Sequence, residues 1–175
     1  MIGGLRIDRV RSDLERLAPA PADPDAFYVA LVELLERHGL AFTGACWHLT
    51  DPATGVFTWT GFRGELPGDF ASALENEYLE DDVGKYAELA ERPGHVASLL
   101  TETGGDPRRN ARYRRHMAPH GFADELRFAF ADAFGRWGSM GVFADRPFSE
   151  QDLAGAAQIE IDEAAARAAR RTPRQ

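Results

Sequence analysis

The chain has 175 residues, 44% of them hydrophobic and 10% aromatic, with a formal net charge of −8. That length suits one domain burying ~70% of its unfolded surface, and the composition is that of a globular core rather than a disordered segment. No apolar run approaches the ~20 residues that span a bilayer, and the acidic balance disfavours phosphate binding by the chain as a whole.

The polar start, MIGGLRIDRVRSDLER, lacks a signal-peptide apolar region, and the single cysteine, Cys46, rules out an internal disulfide framework. Both point to a reducing cytoplasm. Ile7, Val10, Leu14 and Leu17 form a narrow apolar stripe on a short helix. Such a stripe packs either on its own domain or on a second copy. Ala18 to Pro24 is a Pro-rich connector in which Asp23 can cap the next helix, with Pro24 at its first position. That helix turns Phe27, Ala30, Leu31, Leu34 and Leu35 inward and ends where Gly39 can adopt a left-handed cap.

Phe42 to Thr50 alternates as a strand, with Phe42, Gly44, Cys46 and His48 on one face and Thr43, Ala45, Trp47 and Leu49 on the other. Asp51 to Gly55 is a turn, and Val56 to Gly61 returns as a partner strand. Phe70, Leu74 and Tyr78 recur every four residues, predicting a helix over Asp69 to Leu79. The acidic Glu80-Asp81-Asp82 interrupts it, and a second helical stripe runs from Val83 to Ala90 until Pro93-Gly94. His95 to Leu100 reads as a short strand, Thr103-Gly104-Gly105 as a tight turn, and Arg108 to Met117 as an arginine-rich helix stopped by Pro119 and Gly121.

Gly121 to Asp152 is the centre of the design. Leu126, Phe128 and Phe130 alternate with Glu125, Arg127 and Ala129, and a second run puts Trp137, Ser139, Gly141 and Phe143 on one side. The turn Asp132 to Gly135 joins them as a hairpin. Ser149 with Asp152 then forms the capping pattern of a long helix, predicted from Glu150 to about Arg171. On it Leu153, Ala157, Ile161 and Ala164 or Ala165 face inward, and Arg167, Arg170 and Arg171 complement its negative end. The element order implies an α+β sandwich around an antiparallel sheet, with terminal helices on one face and central helices on the other.

Five separated segments carry a family resemblance: ACWHLTDPATG (Ala45–Gly55), EYLEDDVGKYAELAERP (Glu77–Pro93), TGGDPRRNARYR (Thr103–Arg114), GFADELR (Gly121–Arg127), and WGSMGVF with RPFSEQD (Trp137–Asp152). In order and spacing they are similar to the GAF-like N-terminal sensory region of bacterial transcription regulators that carry a C-terminal LuxR-type helix-turn-helix. The resemblance covers roughly Pro24 to Arg170. It implies a GAF-like α+β domain, with a five- or six-stranded antiparallel sheet, that senses a small-molecule effector or mediates self-association. It divides the chain into an N-terminal helix (1–20) that can make a dimer contact, one domain (24–171) and a tail (172–175). No capped two-helix unit follows the long helix, so DNA contact is expected only through a helix-turn-helix that these residues do not include.

A GAF-like domain would hold its ligand between the sheet and the central helices. Glu125 and Arg127 point away from Leu126 and Phe128 and so toward that side, where Arg127 can bind an anionic or polar group; the ordinary alternative is a Glu–Arg strand pair. Trp47, Trp59, Tyr86 and Tyr113 are candidate pocket walls or plain core. Gly44, Gly138, Ser139 and Gly141 either leave room for a ligand or let a helix approach.

Cys46 sits mid-strand among apolar residues and reads as a small hydrophobe rather than a nucleophile. His116 and His120 have metal-like spacing, but Pro119 between them interrupts the helix, so no metal is expected. The arginines from Arg108 to Arg115 are an anion site, a partner surface or a solvated face. The expectation is a cytoplasmic, homodimeric, small-molecule-sensing domain with no catalytic residues, no metal, no resident cofactor and no membrane contact. The alternatives are a free-standing cavity enzyme and a ligand-free interaction module.

Overall fold

The computed structural model describes residues 5–17 and 24–159. Its centre is a five-stranded open sheet built from β1 (Gly44–Thr50), β2 (Phe57–Gly64), β3 (Val96–Ser98), β4 (Asp124–Asp132) and β5 (Gly135–Ala144). The spatial order is β2-β1-β5-β4-β3, and every neighbouring pair is antiparallel. The α+β class follows directly from the alternation of β1 and β4, whose apolar faces demand a layer of helices.

That layer is α1 (Ile7–Leu17), α2 (Pro24–Arg37) and α6 (Glu150–Ala156). Phe27, Tyr28, Leu31 and Leu35 of α2 pack with Ala45, Trp47, Leu126, Phe128, Met140 and Val142 of the sheet. Val10 and Leu14 of the N-terminal stripe are buried in the same core, so the domain itself covers them. Gly39, at φ 107°, ends the run after α2, a conformation that favours glycine.

Gly138 explains how closely α2 approaches. A Cβ at that position would lie 1.9 Å from the Tyr28 hydroxyl, which donates to the His48 carbonyl at 3.4 Å. The glycine thus makes room for a helix side chain. Gly138→Ala should cost about 1–3 kcal/mol by overpacking. In the Tyr28→Phe background, where the nearest ring atom is 3.3 Å away, much of that cost should disappear. Urea denaturation of the four proteins of this cycle measures the coupling, and strict additivity would reject the steric account.

The opposite face carries α3 (Phe70–Leu79), α4 (Tyr86–Ala90) and α5 (Leu99–Glu102). Its apolar packing falls into two small clusters, one around Tyr86, Leu89, Ala97 and Ala129 and one around Leu99, Met117, Phe122 and Phe143. Asp69 caps α3 by accepting from the Ser72 amide at 2.9 Å. The stripe expected on this helix is reversed in burial: Phe70 and Tyr78 are exposed, whereas Asn76 and Glu77 are buried. Fully buried Asp124 ties three segments together, accepting from the amides of Leu100, Glu125 and Phe148 at 3.0, 2.9 and 3.2 Å.

Several boundaries differ from the sequence pattern. β2 runs on to Gly64 because all of Gly44 to Leu49 finds partners there. β3 stops at Ser98, whose hydroxyl accepts from the Thr101 amide at 3.1 Å and starts a helical turn in place of more strand. Trp137 lies on the face that α2 covers, stacked on Phe130 at 5.5 Å, because a register shift at Phe130/Ala131 breaks the alternation.

The arginine-rich helix is instead a 3₁₀ turn (Pro107–Arg109), a π-helical turn (Tyr113–Met117) and a second 3₁₀ turn (Ala118–His120). The Asn110 side chain accepts from the Tyr113 amide at 2.9 Å and restarts the winding between the first two. Ser149 and Asp152 form the expected capping box. α6, however, closes at Ala156, where Gln158 and Ile159 donate to carbonyls three residues back and tighten the last turn. The expected continuation from residue 160 onward, the connector and the Asp23 cap lie outside the described residues.

Candidate functional site

The face of the sheet that α2 does not cover supplies the floor of a cavity. Alternation on β1 turns Cys46 and His48 to that face, and Glu125 and Arg127 of β4 share it. The registers Cys46↔Gly141 and Arg127↔Gly141 bring them side by side around a residue with no side chain. A Cβ on Gly141 would stand 2.9 Å from the Tyr86 hydroxyl and 3.3 Å from Glu125 Oε1. The roof comes from α3 and the residues before it, and the flank from Arg112, His116 and Met117.

The cavity volume is about 310 Å³, at the small end of ligand pockets. Phe57, Phe62, Leu66, Phe70, Leu74 and Phe143 make its walls largely apolar. His48 stacks on Phe57 at 4.0 Å, and exposed Phe62 and Phe70 show that this lining continues to the surface.

Beneath the apolar walls lies a buried ionic network. Arg127 Nε donates to Glu125 Oε1 at 2.7 Å, and Arg127 Nη1 donates to Glu77 Oε2 at 2.9 Å and to the Gly84 carbonyl at 3.2 Å. Its guanidinium lies 4.5 Å from the Tyr86 ring centroid. Glu77 also accepts from the Tyr86 amide at 2.9 Å, which fastens α4 to α3.

Burial alone would lower the Arg127 pKa, but facing Glu125, Tyr86 and Glu77 hold it well above the usual range. For Glu125, burial pushes up while Arg127 and Arg112 pull harder, so its carboxyl sits below the usual range. Arg112 is less well served. Its Nε lies 3.5 Å from Glu125 Oε2 and 3.7 Å from Asp82 Oδ2, and burial together with the Arg127 charge lowers its pKa. Among the described residues, Arg112 Nε and Nη1 have no hydrogen-bond partner.

Cys46 Sγ stands 3.6 Å from His48 Nε2, while His48 Nδ1 shares a hydrogen bond with Thr60 Oγ1 at 2.9 Å. A reactive thiol–imidazole pair needs a stabilised thiolate. Here burial, with Glu125 nearby, pushes the thiol up to about 12, and burial with the charges of Arg127 and Arg136 pulls His48 down to about 3. Both shifts favour the neutral pair. Iodoacetamide at about pH 8 should therefore alkylate Cys46 at least ~100-fold more slowly than it alkylates the urea-unfolded chain. Comparable rates followed by intact mass would contradict this environment.

Of the residues singled out by sequence, Glu125, Arg127 and Tyr86 meet at this cavity. Trp47 and Trp59 do not: both indoles reach Asp25 of α2, at 2.7 and 3.4 Å, on the other side of the sheet. They follow the odd positions of β1 and their cross-strand partners, so strand alternation sends them away from the cavity. Tyr113 packs against the cluster of Leu99, Met117 and Phe143. Ser139 faces the cavity side next to His48 but is fully buried outside the lining, and its hydroxyl has no partner among the described residues.

Sequence reasoning missed Glu77, Arg112 and His48 as lining residues. Glu77 was detectable: it follows Phe70 by seven and Ala73 by four, on the face that closes the cavity. Three other arginines of the cluster bond elsewhere, Arg115 to Glu80 at 2.7 and 2.6 Å, Arg109 to Asp106 at 3.3 Å and Arg114 to the Arg108 carbonyl at 2.6 Å.

His116 and His120 fall in separate turns, and among the described residues no group of three or more His, Cys, Asp or Glu is placed to hold a metal. No helix among those residues is long and apolar enough to cross a membrane. Comparison with models of known protein families finds no match, and comparison with curated proteins finds no significantly similar relative.

Proposed function

We propose that this chain is a small-molecule-sensing, GAF-like regulatory domain of a bacterial transcription regulator, cytoplasmic and homodimeric, with its effector bound between the sheet and helix α3. The observation that carries this reading is the cavity of about 310 Å³, apolar on its walls and ionic on its floor. It lies where the sequence resemblance puts an effector, on the face opposite the terminal helices.

Sensing rather than catalysis is proposed because the one thiol–imidazole pair in the cavity is held neutral on both sides. Regulation further requires that the effector bind two conformations unequally. The α3 roof is the element to follow: it buries polar Asn76 and Glu77 while leaving Phe70 and Leu79 exposed.

Native mass spectrometry of the purified chain, compared with the same sample denatured, tests the reading. The expected result is a small-molecule mass retained natively at one per chain and lost on denaturation. A chain that is empty natively and gains no mass with bacterial metabolite extract would overturn it, and an empty dimer would favour an association module instead.

A further inference from the structure

The ionic floor restricts what the cavity can hold, and the restriction can be read group by group. Three carboxylates line the cavity, Glu77 and Glu125 on its floor and exposed Asp69 at its rim. Facing them are two guanidiniums, Arg112 and Arg127. His48 adds no charge, because burial keeps it neutral near pH 7. The balance is therefore one negative charge in excess, in a site where burial weakens screening. An anionic ligand would add a like charge to that excess.

Most of the lining carboxylate oxygens already accept hydrogen bonds, and Glu125 Oε2 has the longer 3.5 Å ion-pair contact with Arg112 Nε. Glu77 accepts from the Tyr86 amide and from Arg127, and Glu125 faces Arg127 and Arg112. Arg112, whose side chain is only 7% exposed, donates from Nη2 to the Val83 carbonyl at 3.5 Å, while its Nε and Nη1, like Asp82 Oδ2 beside it, lack hydrogen-bond partners among the described residues. Buried donors left unmade are costly, and a ligand that satisfies them gains that cost back as affinity. A cationic ligand would place a further positive charge beside the Arg112 and Arg127 guanidiniums.

Resting on the sensing reading above, we infer that the cavity selects an uncharged, mainly apolar molecule bearing a carbonyl acceptor, and that Arg112 is the residue that recognises it. The aromatic walls take the apolar body, and the carbonyl oxygen accepts from the Arg112 guanidinium. Arg127, by contrast, is the keystone of the floor, already committed to Glu77, Glu125 and Gly84. The sequence-based assignment of ligand recognition to Arg127 thus moves to Arg112.

Four ring compounds of similar size serve as probes: acetophenone (neutral carbonyl), ethylbenzene (no acceptor), benzoate (anion) and benzylammonium (cation). Binding is followed by titration of the full chain with NMR detection, in the wild type and in Arg112→Lys, which keeps the charge but loses the planar fork. Acetophenone should bind about tenfold or more tightly than each of the other three, and Arg112→Lys should abolish most of its advantage over ethylbenzene. Tighter binding of benzoate or benzylammonium would overturn the ligand class while leaving sensing intact. An acetophenone advantage undiminished in folded Arg112→Lys would overturn the role of Arg112. If no probe binds, the native mass spectrum separates the two failures: a retained effector rejects the ligand class alone, and an empty chain rejects the sensing reading beneath it.

Discussion

Replacing Arg127 by methionine should destabilise the protein by about 3–5 kcal/mol, the cost of leaving buried carboxylates without their cation. Its guanidinium is shared by Glu125 and Glu77 and also reaches the Gly84 carbonyl, so no single neighbour can take over. The loss should depend on pH in a defined direction. In the wild type Glu125 is held below the usual carboxylate range, so its contribution is present above the unfolded pKa and falls as pH drops.

Without Arg127, burial becomes the larger influence on Glu125, and its folded pKa rises above the unfolded value. Its contribution is then present in acid and lost as pH rises. The deficit of Arg127→Met relative to wild type should accordingly narrow as pH is lowered from about 7.5 to about 5.5. Removing Arg127 also removes one of the charges that disfavour protonated His48, which narrows the deficit in the same sense.

The double variant Glu125→Gln with Arg127→Met should lose less than the sum of the two single losses, since Glu125 and Arg127 no longer strand each other, while Glu77 loses its guanidinium in both Arg127→Met backgrounds. Urea midpoints for the four proteins give the coupling. A loss below about 1 kcal/mol with no pH trend would mean that the network is solvated and interchangeable, as surface ion pairs are.

The faces of the sheet were legible in the sequence because burial on one side imposes period-2 alternation. Ala45, Trp47 and Leu49 against Cys46 and His48, and Leu126, Phe128 and Phe130 against Glu125 and Arg127, separate the core from the cavity floor without ambiguity. Alternation also carried the evidence against Trp47 as a pocket wall, which its aromatic character obscured. The partners of the floor were not legible. Glu77 meets Arg127 across fifty residues of sequence, and only the closing of α3 over β4 brings them together.

Arg112 was hidden for a different reason. Its segment is rich in arginine, and only the change from 3₁₀ to π-helical winding around Asn110 decides which one turns inward. A backbone that alternates between winding types gives no fixed period from which a side-chain direction can be read. The bulge that reverses Trp137 is the strand counterpart of the same limit.

Between about pH 6.5 and pH 3 the wild type should lose on the order of 4 kcal/mol through His48 alone. The imidazole is enclosed by Cys46 on its own strand, Thr60 and Phe57 on β2, and Tyr86 on α4. Arg127 on β4 and Arg136 on β5 oppose a second positive charge there. Burial is the first cause of a folded pKa near 3 against 6.5 for the free side chain, with these two arginines adding to it. The unfolded chain takes up its proton first. Stability due to neutral His48 is therefore complete above the unfolded pKa and drains away as pH falls toward the folded one.

His48→Gln keeps a polar group toward Thr60 and cannot titrate, so its stability should vary less with pH across this window than that of the wild type. The comparison cancels the carboxylates, which both proteins share. The measurement is the free energy of urea unfolding at several pH values, and parallel curves for the two proteins would show that His48 protonates freely in the folded state. Because His48 lines the cavity, a bound apolar molecule should deepen its burial and make the protonated form harder still to reach. Acetophenone at saturating concentration should therefore bind more weakly as pH approaches the folded pKa, and in His48→Gln that dependence should vanish.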